Sequence, residues 1–166
     1  PIDTITYAAC MAAKANIPVI LNPAPAPATP LSEELLSSLY LITPNRSEAS
    51  RISGVEITDM ESAQRAARAI YAMGPKNVIV TLGGEGSLIY DGEMFMRVEA
   101  LKVDAVDTTA AGDTYNGVLA SVLAEGRSLI EAAREASVAA AISVTRMGAQ
   151  PAAPTRLEVE EMMHRR

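Results

Sequence analysis

Residues 106–117 read VDTTAAGDTYNG and place a carboxylate, Asp113, directly after a glycine at the start of an apolar helical pattern. Ala110, Ala111 and Gly112 are small, so they leave the first backbone N–H groups of this helix open. Unpaired N–H groups and the helix dipole together make such a terminus a site for anions. Two interpretations of Asp113 follow: it caps the helix, or it accepts a proton from a hydroxyl that attacks a bound phosphoryl group.

The composition is that of a globular protein and excludes several classes of function. The chain has 166 residues, of which 49% are hydrophobic, and a formal net charge of −6. Nucleic acid would be repelled by this charge, and no apolar run is long enough to cross a membrane. His164 and Cys10 are the sole histidine and cysteine, so neither a zinc site nor a nucleophile–histidine pair is predicted. A single cysteine fits a reducing compartment, and we expect a cytoplasmic protein.

Strand and helix patterns alternate along the chain, which predicts an α/β fold with a mostly parallel sheet. Asp91–Gly92 adds one hairpin. Candidate helix caps are Asp3, Ser128 with Glu131, Thr58 with Glu61, and Thr155 with Glu158. The predicted strands cover residues 17–23, 40–45, 77–84 and the two arms of 87–98. The predicted helices cover 3–15, 32–39, 47–53, 59–73, 112–125 and 129–146, with a last short helix after Thr155.

Ligands of parallel α/β sheets bind at the carboxyl ends of the strands. The candidate loops are therefore 22–25, 43–48, 81–86 and 107–113. The glycines of TLGGEGS (81–87) allow close approach of a ligand to the backbone, but no P-loop lysine or dinucleotide fingerprint accompanies them. Asn45 and Glu48 either organise a hydrated Mg²⁺ or simply begin a helix. The four loops thus carry the groups that phosphoryl transfer needs: a glycine turn, a carboxylate, an anion site and a base.

Five segments resemble those of one known family in order and approximate spacing. They are LNPAPA (21–26), ITPNRSEA (42–49), TLGGEGS (81–87), DTTAAGDTYNG (107–117) and VTRMGAQPAAP (144–154). The chain resembles the ribokinase-like (phosphofructokinase-B) family of carbohydrate kinases from about Pro1 to Arg156. The resemblance implies a three-layer α/β/α fold of the ribokinase type, incomplete at its N-terminus.

The resemblance also implies roles for individual residues. Asp113 corresponds to the catalytic base, and the N–H groups of Ala110, Ala111 and Gly112 correspond to the anion hole. Glu48 matches the element that organises Mg²⁺ and phosphates, largely through water. The residues implied to contact ATP are Asn45, Thr81, Gly83, Gly84, Glu85, Gly86, Gly112, Asp113 and Ser137.

A monovalent-cation site for K⁺ is implied as well, mostly through backbone carbonyl groups. Its positions are Asp107, Thr109, Ser143, Arg146, Gly148 and Ala152. Two positions depart from the family pattern. Ala152 stands where a serine often completes the cation site, and Ser137 stands where histidine or asparagine is common at the adenine.

The implied activity is ATP-dependent phosphorylation of a sugar hydroxyl, with D-ribose giving ribose 5-phosphate as the leading case. The alternatives are another acceptor, such as fructose, a deoxysugar acid or adenosine, and a non-catalytic nucleotide-binding module. Members of the family are roughly twice as long. We therefore expect residues 1–166 to be the C-terminal nucleotide-binding and catalytic portion of one domain, without the sugar-binding half and lid, and inactive alone. The full-length protein is expected to be a homodimer.

Overall fold

The computed structural model describes residues 1–164, and the chain forms two compact units. The first unit contains Pro1–Leu82 and Leu88–Arg97, and the second contains Gly83–Ser87 and, of the described chain, residues 98–164. Within residues 1–164, no helix has the length and apolar character needed to span a bilayer.

One sheet organises the first unit. Its five strands are β1 (Ile20–Leu21), β2 (Leu41–Ile42), β3 (Val78–Thr81), β4 (Ser87–Tyr90) and β5 (Phe95–Val98), and they lie in chain order. β1 pairs in parallel with β2, and β2 pairs in parallel with β3. Val78, Ile79 and Val80 are fully buried, as expected for a strand covered on both faces. The predicted parallel pairing is confirmed for β1, β2 and β3, although β1 and β2 are shorter than their apolar runs.

Four helices accompany this sheet: α1 (Ile2–Lys14), α2 (Glu33–Ser38), α3 (Arg46–Ser53) and α4 (Met60–Tyr71). In α4, a stripe of small and apolar side chains recurs at helical spacing and is completely buried. It consists of Ala63, Ala66, Ala67 and Ile70. The stripe joins the leucines of α2 and the strand residues Ile42, Val78 and Val80 in one hydrophobic core.

Two predicted helix starts are wrong in detail. α1 begins after Pro1, and Asp3 lies inside its first turn rather than at the N-cap. α4 is capped by Asp59 with Ser62, one residue along from the predicted pair of Thr58 and Glu61. The Asp59 carboxylate accepts a hydrogen bond from the Ser62 N–H at 2.8 Å, and the Ser62 hydroxyl oxygen accepts one from the Asp59 N–H at 2.9 Å.

The hairpin predicted at Asp91–Gly92 is confirmed between β4 and β5. Asp91 Oδ1 accepts hydrogen bonds from the N–H groups of Glu93 and Met94, both at 2.9 Å. Gly92 has a φ of +97°, and a Cβ there would lie 2.2 Å from the Tyr71 hydroxyl oxygen. The turn therefore requires glycine for both its backbone angle and its close packing.

The second unit is mainly helical. It contains α5 (Ala111–Ala124), α6 (Leu129–Ser143) and α7 (Arg156–His164), with short 3₁₀ turns at Gly83–Glu85 and Gln150–Ala152. The predicted capping box of Ser128 and Glu131 is confirmed at the start of α6. α6 ends at Ser143 rather than at the predicted residue 146, because residues 144–146 form tighter turns.

Candidate functional site

The start of α5 has an unusual backbone. Ala110 is the N-cap, with φ 58° and ψ 16°, a left-handed conformation that is unfavourable for a residue with a Cβ. No side chain caps this end of the helix. The Ala110 carbonyl oxygen accepts the first helical hydrogen bond, from the Thr114 N–H at 2.9 Å. Such strained positions are concentrated at functional sites, where the surrounding structure holds them in place.

The first turn of α5 offers N–H groups for an anion. The Ala111 N–H donates to the Thr108 carbonyl oxygen at 3.3 Å. Over residues 1–164, the N–H groups of Gly112 and Asp113 donate to no backbone oxygen outside the helix. A Cβ built on Gly112 would meet nothing within 4 Å, so the space beside this residue is open. The geometry fits a phosphate at the helix N-terminus.

Asp113 is the third residue of α5 and is exposed. The interpretation of Asp113 as the helix cap is wrong, because Ala110 occupies the N-cap position. Within the described residues 1–164, its carboxylate makes no hydrogen bond and no ion pair. An unengaged carboxylate next to open N–H groups is suitably placed to accept a proton beside a bound anion.

A cavity of about 440 Å³ lies in the second unit beside Asp113. Its wall combines this carboxylate with small and apolar groups from α5 and from the turn that follows Gly148. The lining residues are Ala110, Asp113, Thr114, Gly117, Val118, Ala149, Gln150, Ala153 and Pro154.

The glycine loop also belongs to the second unit. Gly83, Gly84 and Glu85 form a 3₁₀ turn, and Gly86 follows with φ +93°. A Cβ on Gly86 would lie 1.9 Å from the Val98 carbonyl oxygen, so only glycine fits. Gly83 and Gly84 are exposed, with open space at the position of a Cβ. Ser137, the residue implied at the adenine, is half-buried in α6.

One contact of this loop has no signal in the sequence. The Ser87 hydroxyl, directly after Gly86, lies 3.2 Å from the Tyr115 hydroxyl of α5. Burial raises the pKa of Tyr115 to about 12. The pair links the end of the glycine loop to the second turn of α5. A lone tyrosine in a helical pattern gives no indication of such a partner.

Asn45 and Glu48 lie together at the start of α3, in the first unit. Asn45 Oδ1 accepts from the Glu48 N–H at 3.0 Å, and Glu48 Oε2 accepts from the Asn45 N–H at 2.8 Å. The pair is thus a capping box, and Glu48 is only 7% exposed. Thr81 is adjacent: it forms a parallel bridge with Asn45, and its N–H donates to the Pro44 carbonyl oxygen. Because one oxygen of Glu48 is already engaged, the geometry suits an indirect role toward Mg²⁺, through water.

The residues of the implied cation site are brought together in the second unit by two loops, 106–110 and 144–148. Asp107 accepts hydrogen bonds from the N–H groups of Thr109 and Gly148, both at 2.9 Å. Hydrogen bonds from the Thr109 side chain, and then from the Gly148 and Thr109 N–H groups, hold the pKa of Asp107 below its usual value. Arg146 forms an ion pair with Glu158.

The groups of these loops that could bind a cation are carbonyl groups rather than carboxylates. Residues 1–164 contain no group of three or more His, Cys, Asp or Glu side chains that could hold a metal ion. In the same residues, the carbonyl oxygens of Asp107, Thr109, Arg146 and Gly148 accept no backbone hydrogen bond. This donor set suits K⁺, which proteins bind through backbone carbonyl groups.

The side chains at two of the implied positions differ in what they could offer a cation: one is a hydroxyl held within a helix, and the other has no polar atom. The Ser143 hydroxyl donates to the Ala140 carbonyl oxygen at 2.8 Å, within α6. Ala152 is buried at 1% exposure and carries no polar side-chain atom. If K⁺ binds here, its ligands must therefore come mainly from the backbone.

Comparison with known proteins identifies the class. Residues 1–156 match the pfkB family carbohydrate kinases, and the chain belongs to this family. Among curated relatives, the ribokinase of Haemophilus influenzae is 44% identical over 98% of this chain and 53% of its own length. The ribokinase of Staphylococcus aureus is 37% identical over the same shares. The chain therefore spans about half the length of these relatives.

Solved structures confirm the fold. Arabidopsis thaliana ribokinase, complexed with ribose and ATP, matches with a TM-score of 0.93 at 34% identity, over 98% of this chain and 53% of that chain. Thermotoga maritima ribokinase matches with a TM-score of 0.84 at 41% identity, over 93% and 52%. The predicted ribokinase-like α/β fold, of the three-layer α/β/α type, is confirmed.

Proposed function

We propose that this chain supplies the nucleotide-binding and catalytic groups of an ATP-dependent sugar kinase. The proposed reaction transfers the γ-phosphoryl group of ATP to D-ribose and gives ribose 5-phosphate and ADP. One observation carries the proposal: the unengaged Asp113 carboxylate lies in the same helical turn as the open Gly112 N–H. Relatives named ribokinase, and a ribokinase structure with ribose and ATP, support this choice of substrates.

In the proposed mechanism, Asp113 accepts the proton of the sugar hydroxyl as its oxygen attacks the γ-phosphorus. The bond from this phosphorus to the β-phosphate oxygen breaks, and ADP leaves. The N–H groups of Ala110, Gly112 and Asp113 are proposed to face the oxygens of the transferring group, where charge develops. The Ala111 N–H would share its proton between the Thr108 carbonyl oxygen and one of these oxygens. General-base assistance contributes about 10²–10⁴-fold to the rate, and each well-placed N–H adds stabilisation of the developing charge.

The remaining nucleotide contacts are proposed for two groups of residues. Gly83, Gly84, Glu85 and Gly86 would receive the nucleotide on exposed backbone, and Ser137 would face the adenine from α6. Asn45 and Thr81 would act from the first unit, where they form one parallel bridge.

Two metal ions complete the proposal. Mg²⁺, when bound with ATP, neutralises phosphate charge, and Glu48 would orient its water ligands from the capping box. K⁺ would be held by carbonyl groups of the loops around Asp107, Thr109, Ser143, Arg146, Gly148 and Ala152. The chain's own contribution at this place is to keep those two loops joined.

A different acceptor is the second candidate. The deoxyribokinase of Salmonella typhi is 31% identical over 98% of this chain. Relatives with different acceptors are thus similar to the same chain. We therefore propose that the sugar contacts that decide specificity lie in the part of those relatives that this chain does not match. We also place a dimer interface there and the reaction in the cytoplasm, and we expect the present chain alone to be inactive.

The test uses a chimera in which this chain replaces the matching segment of Haemophilus influenzae ribokinase. ADP formation is measured with D-ribose, 2-deoxy-D-ribose and D-fructose, for the chimera and for its Asp113→Asn variant. We expect turnover that depends on D-ribose and falls about 10²–10⁴-fold in the variant, because the base is lost. The affinity for Mg²⁺-ADP should be kept.

Three outcomes would count against the proposal. A folded chimera without sugar-dependent ADP formation would refute kinase activity, provided that the parent enzyme is active in the same assay. Faster turnover of 2-deoxy-D-ribose or D-fructose would replace D-ribose as the substrate. Unchanged turnover in Asp113→Asn would remove Asp113 as the base.

A further inference from the structure

The Asp107 side chain joins two loops of the second unit that are far apart in the sequence. Its Oδ2 accepts from the Gly148 N–H at 2.9 Å, across 41 residues of chain, and its Oδ1 accepts from the Thr109 N–H at 2.9 Å. Backbone contacts support the same junction: the N–H groups of Val106 and Asp107 donate to the Val144 carbonyl oxygen at 2.7 and 3.1 Å. Both oxygens of the carboxylate therefore hold backbone donors.

Thr109, one of the residues that Asp107 holds, lies directly before the strained residue of the α5 N-cap. Thr109 precedes Ala110, whose φ of 58° is unfavourable for an alanine. An isolated chain would relax to φ below zero, so neighbouring contacts must hold this conformation. The Asp107–Thr109 bond fixes the residue before Ala110, and the bond from the Ala111 N–H to the Thr108 carbonyl oxygen closes the turn.

The conformation of Ala110 determines where the next N–H groups point. A change of φ at the N-cap would rotate the preceding loop relative to the first turn of α5. The accessibility of the N–H groups of Gly112 and Asp113 therefore depends on Ala110 remaining left-handed.

We propose that the Asp107 side chain is a positioning residue that holds Ala110 in the left-handed conformation and thereby keeps the N-terminus of α5 ready to bind a phosphate. This inference rests on the proposed function of that terminus as a phosphate site. It gives the carboxylate a role separate from that of the Asp107 carbonyl oxygen, which the proposed K⁺ site would use.

The test exploits the fact that glycine adopts the left-handed conformation without strain. Mg²⁺-ADP is titrated by calorimetry into the wild-type chain, Asp107→Ala, Asp107→Asn and the double variant Asp107→Ala/Ala110→Gly. We expect Asp107→Ala to weaken binding roughly tenfold, the equivalent of one or two lost hydrogen bonds. The double variant should recover most of this loss, because a glycine in place of Ala110 no longer needs the Asp107 contacts to stay left-handed.

Asp107→Asn supplies the conservative comparison. An amide keeps one acceptor oxygen, so it should retain one of the two contacts, lose the other and bind Mg²⁺-ADP with intermediate affinity. Asp104→Asn is the matched control, because Asp104 is an exposed carboxylate three residues earlier in the chain. Its affinity should equal that of the wild type. Thermal unfolding of every variant separates local effects from loss of the fold.

A measurement on the chain without ligand tests this proposal independently of the proposed function. The amide-to-Hα coupling and the carbon shifts of Ala110, measured by nuclear magnetic resonance, should leave left-handed values in Asp107→Ala. A left-handed Ala110 in Asp107→Ala would overturn the proposal, and so would full nucleotide affinity in that variant. Equally weak binding by Asp107→Ala and by the double variant Asp107→Ala/Ala110→Gly would overturn it too. If the wild-type chain binds no Mg²⁺-ADP, the phosphate site is refuted, and the coupling data alone decide whether Asp107 holds Ala110.

Discussion

Two carboxylates near helix starts, Asp113 and Glu48, show how one sequence feature leads to different structures. Each occupies the third position of its helix. Glu48 follows an N-cap, Asn45, that exchanges hydrogen bonds with it, so the carboxylate is engaged and buried. Asp113 is one methylene shorter and follows Ala110, which has no capping side chain and a left-handed backbone. Asp113 therefore stays exposed and unengaged, and the proposed role as proton acceptor needs a carboxylate that is free to reach the sugar hydroxyl.

Gly112 allows a prediction in which stability and binding change in opposite directions. Gly112→Ala should raise the free energy of unfolding by about 0.5 kcal/mol, because alanine favours the helix and the new Cβ meets no atom within 4 Å. The same methyl group, next to the open N–H groups, should crowd a bound phosphate and weaken Mg²⁺-ADP binding. Urea unfolding and calorimetric titration measure the two effects.

Ser121→Ala is the control for Gly112→Ala. Ser121 is exposed on α5, two turns beyond Asp113. Its replacement should also favour the helix but leave the affinity for Mg²⁺-ADP unchanged. Tighter or equal binding by Gly112→Ala would show that phosphate does not approach the backbone at this position.

For the helices, the type of capping motif could be predicted, but its position along the chain was not always correct. Ser128 with Glu131 was correct, whereas Asp59 with Ser62 displaced the predicted pair of Thr58 and Glu61. Thr58 and Asp59 are adjacent and both suit an N-cap. The structure favours Asp59 through Ser62, a buried residue whose hydroxyl oxygen accepts from the N–H groups of both Thr58 and Asp59 at 2.9 Å and whose N–H donates to the Asp59 carboxylate.

The start of α7 should respond to acid through Glu158. Its carboxylate accepts from the Thr155 N–H at 2.7 Å and pairs with Arg146. The pKa of Glu158 is lowered from 4.5 to about 2, first by Arg146 and then by Thr155. A depressed folded-state pKa gives stability that is present above pH 4.5 and is lost as the pH falls toward 2.

Glu158→Gln should therefore make the thermal midpoint of unfolding less dependent on pH below 4.5. Thermal midpoints of the wild type and the variant, measured from pH 7 to pH 2, should converge as the pH falls below 4.5. The other carboxylates titrate in both proteins, so the difference between the two curves isolates Glu158. Parallel curves over this range would show that the ion pair with Arg146 does not stabilise the folded chain.

For the whole molecule, the order of strands and helices could be predicted because the hydrophobic periods alternate clearly. The parallel pairing of β1, β2 and β3 and the hairpin at Gly92 follow from those patterns. The left-handed Ala110, the Asp107 junction and the Ser87–Tyr115 contact could not be predicted, because each depends on residues brought together by tertiary folding. Nor did any spacing identify a sugar, and that assignment rests on the related ribokinases.

Calorimetric titration of Mg²⁺-ADP into the purified chain measures whether the phosphates of a nucleotide bind at the start of α5. We expect saturable binding at one site, weakened by Gly112→Ala, and stronger in K⁺ than in Na⁺ if the loops around Asp107 hold that ion. Absence of saturable binding by a chain whose circular dichroism shows the expected helices would contradict this expectation.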